Sequence, residues 1–133
     1  MAQREQVPNM NGRPSDVALD SLLNLRDALR KFSAEREWEK FHSPKNLAIA
    51  LSVEAAELLE HFQWISDADS ADMAPATRTK VGEELADVLI YLVQLADKLD
   101  VDLTKAANEK LQQNAEKYPV EKARGSSKKY SEL

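Results

Sequence analysis

Glu54 and Glu57, followed about thirty residues later by Glu84 and Asp87, make two acid-x-x-acid pairs in this chain. At about 100° per residue each pair falls on one helical face. Glu54, Glu57 and His61 share theirs with Leu47, Ala50, Leu51 and Leu58, while Glu84 and Asp87 share theirs with Val88, Tyr91 and Leu95. Acids among aliphatic neighbours are unexpected, because burying an unpaired carboxylate costs several kcal/mol. If the two helices pack antiparallel through these faces, the four carboxylates converge, and so much like charge needs a cation. An all-oxygen ligand set suits Mg²⁺ or Mn²⁺, whereas zinc and copper favour imidazole or thiolate. The competing reading is a solvated helix face, common in a chain that is 31% charged, and spacing alone leaves both open.

Magnesium held by few carboxylates keeps waters and expects substrate phosphates in its shell. The sequence holds no Gly-x-x-x-x-Gly-Lys-[Ser/Thr] and no Gly-x-Gly-x-x-Gly, so no Gly-rich turn cradles those phosphates. Metal and basic side chains must then neutralise them. Lys110 and Asn114, i and i+4 on one helix with Lys117 and Tyr118 following, are candidates, or else an ordinary amphipathic face. Trp38, Trp64 and Tyr91 can stack on a base, or plug helix ends. His42, in Phe-His-Ser-Pro, suits a loop hydrogen bond, and His61, at the end of the acid face, suits a capping or surface role over that of a partner to the acids. A di-iron bundle would need a Glu-x-x-His pair on each of two helices, and the second acid helix carries no His.

These residues need helices to position them. Three Gly, five Pro and frequent Ala, Leu, Glu and Lys in 133 residues predict one all-α domain. A first helix, capped by Asp20 or Ser21, is expected to about Trp38, followed by a link over residues 39–42. Ser43-Pro44 opens a second helix to about Trp64. Residues 65–75 read as a polar loop, and Pro75 opens a third helix to about Lys98. Asp102 caps a fourth to about Lys117, stopped by Pro119. The expected organisation is a disordered polar lead-in over residues 1–18, a helical domain over 19–119 and a basic tail over 120–133. The second and third helices are apolar on more than one side, which predicts a homo-oligomer, dimeric or tetrameric.

The absence of Cys excludes disulfides and thiolate chemistry. A net charge of −5 disfavours nucleic-acid polymers and anionic membranes. No apolar run approaches the roughly 20 residues of a membrane span, so a cytoplasmic protein is expected.

Several blocks together resemble the MazG-like, all-α nucleoside triphosphate pyrophosphohydrolases, and most closely their dCTP pyrophosphatase branch. They are Glu35-Arg36-Glu37-Trp38-Glu39-Lys40-Phe41-His42, Glu57-Leu58-Leu59-Glu60-His61-Phe62-Gln63-Trp64, Glu83-Glu84-Leu85-Ala86-Asp87-Val88-Leu89-Ile90-Tyr91-Leu92, Lys117-Tyr118-Pro119 and Ser126-Ser127-Lys128-Lys129-Tyr130. The resemblance runs from about residue 20 to the C-terminus. It implies a four-helix, homo-oligomeric bundle that hydrolyses a (deoxy)nucleoside triphosphate to monophosphate and pyrophosphate with Mg²⁺. By position it makes Glu54, Glu57, Glu84 and Asp87 the metal ligands, with Glu57 taking the proton of the attacking water. Trp38, His42, Asn46, Trp64 and Tyr91 would line the nucleotide pocket, and Lys110, Asn114 and Tyr118 the phosphate side, reaching a neighbouring subunit. Where the dCTP branch can carry a base-contacting His in the first helix, this chain has Leu29. The expected substrate is dCTP or a modified dCTP. The rival is a non-catalytic helical bundle that binds a protein partner, or senses a nucleotide without turnover.

Overall fold

The computed structural model describes residues 21–133, which form helices and turns with no strand among them. The lead-in expected over residues 1–18 lies outside the described residues. Helix α1 spans Leu22–Glu35, and its cap is Ser21, whose Oγ accepts from the Asn24 amide at 3.1 Å. It stops short of Trp38. Glu37 takes a left-handed φ of 52°, and Trp38–Phe41 form a 3₁₀ turn. No Gly or Pro marks that stop; aromatic packing makes it. The Phe32 and Trp38 rings meet edge to face at 5.7 Å, and the Arg36 guanidinium lies 3.7 Å above Phe32 while donating to its carbonyl.

Helix α2 spans Pro44–Glu60, with Ser43 Oγ accepting from the Asn46 amide at 3.1 Å and Pro in its first turn. It ends four residues before the expected Trp64. The amides of His61 and Phe62 fold back on Leu58 and Leu59 at 3.3 and 2.9 Å, tightening the last turn into i→i+3 bonds. Residues 65–75 are not all loop, because Ser66 caps a one-turn helix α3, Asp67–Ala71, with Asp67 and Asp69 at its positive end. Helix α4 spans Pro75–Lys98, and α5 spans Leu103–Lys117 with Asp102 as its cap.

The chain divides into two compact units at Leu95 and Ala96. In the first, Leu47, Val81 and Val93 are buried, and so is the polar Ser33, on α1. Many large apolar side chains stay exposed, among them Ile49, Val53 and Leu59 on α2 and Leu85, Leu89 and Leu92 on α4. In the second unit, the basic tail is partly folded: α6 spans Val120–Ala123 and a 3₁₀ turn spans Tyr130–Glu132. The Tyr118 and Tyr130 rings meet edge to face at 6.1 Å, with Lys117 Nζ 5.2 Å from the Tyr130 ring. No helix of the described residues is long and apolar enough to cross a membrane.

Candidate metal centre and aromatic pocket

Helices α2 and α4 bring their acid faces together. One carboxylate oxygen from each of Glu54, Glu84 and Asp87 lies within 4.8 Å of the others, and all three residues are half-buried. Oε2 of Glu54 and Oε2 of Glu84 are buried with no hydrogen-bond partner. A buried, unpartnered carboxylate oxygen is costly, and a cation relieves it. Converging hard oxygens with orphaned lone pairs fit a divalent cation such as Mg²⁺ or Mn²⁺. Glu57, one turn beyond Glu54, is exposed, and its charge acts on both Glu54 and Glu84.

The electrostatics match the crowding. Burial first, then a hydrogen bond to Glu57 and the charges of Glu57, Asp87 and Glu84, push Glu54 up from 4.5 to about 7. Glu84 is also raised, by burial and then by Glu57 and Asp87, with His61 acting in the opposite direction. His61 caps the C-terminus of α2, as a capping role expects, and its Nε2 also stands 4.0 Å from Glu84 Oε1.

Beside the acids is a pocket of about 310 Å³ lined by Leu29, Phe32 and Ser33 of α1, Trp38 and His42, and Asp87, Ile90, Tyr91 and Gln94 of α4. Asp87 therefore belongs to both the acid cluster and the pocket wall. The Trp38 ring meets His42 edge to face at 6.5 Å, so the 3₁₀ turn holds both rings at the pocket. Tyr91 follows Asp87 by one helical turn.

Of the residues expected at the nucleotide, Trp38, His42 and Tyr91 line this pocket, while Asn46 and Trp64 do not. Asn46 instead donates from Nδ2 to the Phe41 carbonyl at 3.0 Å, bracing the turn that carries Trp38 and His42. Trp64, in the turn after α2, is 87% exposed. Lys110 and Asn114 are exposed on α5, and Tyr118 packs on Tyr130, all within the second unit. Ser33, Gln94, Phe32 and Ile90 were not singled out by sequence. Gln94 follows Asp87 by seven residues on the same helical stripe, which is the signal that could have found it.

A model of the MazG-like family matches residues 49–133. The dCTP pyrophosphatase 1 of Rattus norvegicus is 48% identical over 115 residues, covering 85% of this chain and 68% of that protein. The dCTP pyrophosphatase 1 of Homo sapiens is 45% identical over 124 residues, covering 92% and 73%. The crystal structure of a pyrophosphatase from Archaeoglobus fulgidus superposes with a TM-score of 0.70 at 43% sequence identity, covering 74% of this chain and 92% of that one.

Proposed function

The chain belongs to the MazG-like family, and from that premise we propose that it hydrolyses dCTP, or a modified dCTP, to the monophosphate and pyrophosphate. The observation that carries this reading is the convergence of Glu54, Glu84 and Asp87 beside the aromatic pocket, with two orphaned carboxylate oxygens among them. The relatives named above as dCTP pyrophosphatases support the choice of substrate.

Glu54, Glu84 and Asp87, joined by Glu57 from the rim, would hold Mg²⁺. A divalent cation held there would supply charge neutralisation for the triphosphate and Lewis acidity at phosphorus. Glu57 is exposed one helical turn from Glu54, a position that suits it to accept the proton of the attacking water. Trp38, His42 and Tyr91 supply aromatic rings to the wall of the base pocket, and the pocket volume is that of a small-ligand site. Asn46 serves the pocket by holding the Phe41 carbonyl and so the turn. Trp64 is free to close over a ligand from the end of α2. Lys110, Asn114 and Tyr118 keep the phosphate-side role that family resemblance implies, supplied across a homo-oligomer. The exposed apolar faces of α2 and α4 support that assembly.

The test is to incubate the protein with Mg²⁺ and each nucleoside triphosphate in turn and resolve mono-, di- and triphosphate products. Monophosphate with pyrophosphate from dCTP is the expected result. Diphosphate as product, or no turnover with either Mg²⁺ or Mn²⁺, overturns the reading.

A further inference from the structure

Among the described residues Ser33 is the one buried polar side chain, at 4% exposure, and it faces the pocket from α1. Gln94 Nε2 donates to Ser33 Oγ at 3.4 Å, joining α1 to α4 across 61 positions of sequence. That is the one side-chain hydrogen bond of Gln94 among the described residues, although a carboxamide has two N–H donors and two acceptor lone pairs. A half-buried amide with unused hydrogen-bonding capacity on a pocket wall is equipped to meet a ligand.

Position says which part of the ligand. Glu84, Asp87, Tyr91 and Gln94 form one stripe along α4, and Gln94 lies about 10 Å along the axis from Asp87. One end of the stripe belongs to the acid cluster and the other is an uncharged amide, with an aromatic ring between them. A nucleotide has the same polarity, with phosphates at one end and the hydrogen-bonding edge of a base at the other.

We propose that Gln94, oriented by Ser33, contacts the Watson–Crick edge of the base and selects cytosine over uracil and thymine. The proposal rests on the reading of the pocket as a base site given above. With one N–H of Nε2 given to Ser33 Oγ, the amide is anchored on its nitrogen side and Oε1 is the acceptor on the opposite side. Cytosine offers an N4 amino donor at the position where uracil and thymine offer an O4 acceptor. The amide oxygen therefore gains a hydrogen bond from cytosine and opposes another oxygen in uracil or thymine. Leu29, aliphatic on the same wall, cannot make this distinction. Gln94 is the specificity-determining contact and Ser33 the positioning residue that sets which way it faces.

The test uses Gln94→Met, which keeps the bulk and removes the amide, and Ser33→Ala, which leaves the amide free to turn over. The ratio of kcat/KM for dCTP to that for dUTP is measured alongside equilibrium binding of deoxycytidine and deoxyuridine, which needs no metal and no turnover. Gln94→Met is expected to lower the preference for cytosine about ten- to a hundredfold in both readouts. Ser33→Ala is expected to lower it less and to raise turnover of dUTP. A bracing role alone would shift melting temperature and leave both ratios unchanged, and that result overturns the proposal. So does a wild-type protein with no preference between the two bases. Turnover with unchanged ratios would leave the proposed function standing, whereas selective nucleoside binding without turnover would leave this inference standing and remove the enzyme.

Discussion

Glu54 sits where three other carboxylates and partial burial favour its protonated form, with a folded value of about 7 against an ordinary 4.5. Between those values the folded chain binds more protons than the unfolded one, so stability falls as pH rises through that window. The stabilising proton is fully present below about 4.5 and lost as pH passes 7. Metal binding displaces the same proton. Mg²⁺ is therefore expected to raise melting temperature strongly at pH 8 and little at pH 5.5, as measured by calorimetry at the two values. An equal shift at both would contradict the crowded-acid account. Glu54→Gln removes one of the like charges, so the metal-free protein should melt higher while the Mg²⁺-induced shift shrinks. Activity of that variant should fall more than about a hundredfold, since even groups that only orient a ligand are worth 10- to 100-fold. A metal titration followed by melting checks the first effect and product analysis the second.

At the scale of elements, the site depends on how α1 ends and α2 begins. Glu37 holds a left-handed φ of 52° with a side chain that disfavours it, at roughly 1 kcal/mol. Glu37→Gly should recover up to about that much in denaturant unfolding, offset in part by the greater freedom of Gly when unfolded. Ser43 caps α2 through the Asn46 amide, and Ser43→Ala should cost about 1 kcal/mol. An unchanged denaturant midpoint in Ser43→Ala would mean that the cap is redundant with the Asn46 bond to Phe41.

At the scale of the whole molecule, the described residues leave many large apolar side chains exposed. Leu85, Leu89 and Leu92 are exposed along α4, at 53%, 40% and 38%, on the side away from the acid stripe. Ile49 and Val53 are likewise exposed on α2, on the side away from Glu54. Among the described residues, Leu47 is the large side chain that is fully buried. Self-association through these faces would bury them and leave the acid faces turned inward. Sedimentation should therefore show a dimer or tetramer, and Leu89→Glu should shift it to a smaller species. A wild-type chain that sediments as a monomer at micromolar concentration would rule out this assembly.

Local chemistry made much of this protein legible from sequence. The caps Ser21, Ser43 and Asp102, Pro44 and Pro75 at helix starts, and the i, i+3 acids all act over one helical turn, so spacing alone exposes them. Resemblance to a family then supplied an activity that spacing could not. What escaped the sequence depends on distant partners. The end of α1 is set by Phe32, Trp38 and Arg36 folding onto one another, with no breaker residue to announce it. The division of the acids into a half-buried trio and an exposed Glu57 follows from how the faces of α2 and α4 meet. The pairing of Ser33 with Gln94 spans 61 positions, and nothing in either residue's neighbourhood points to the other. Sequence by itself determined which residues lie on each helical face, because a 3.6-residue period is a local property. Which faces meet, and which carboxylate oxygens lose their water, only tertiary packing decided.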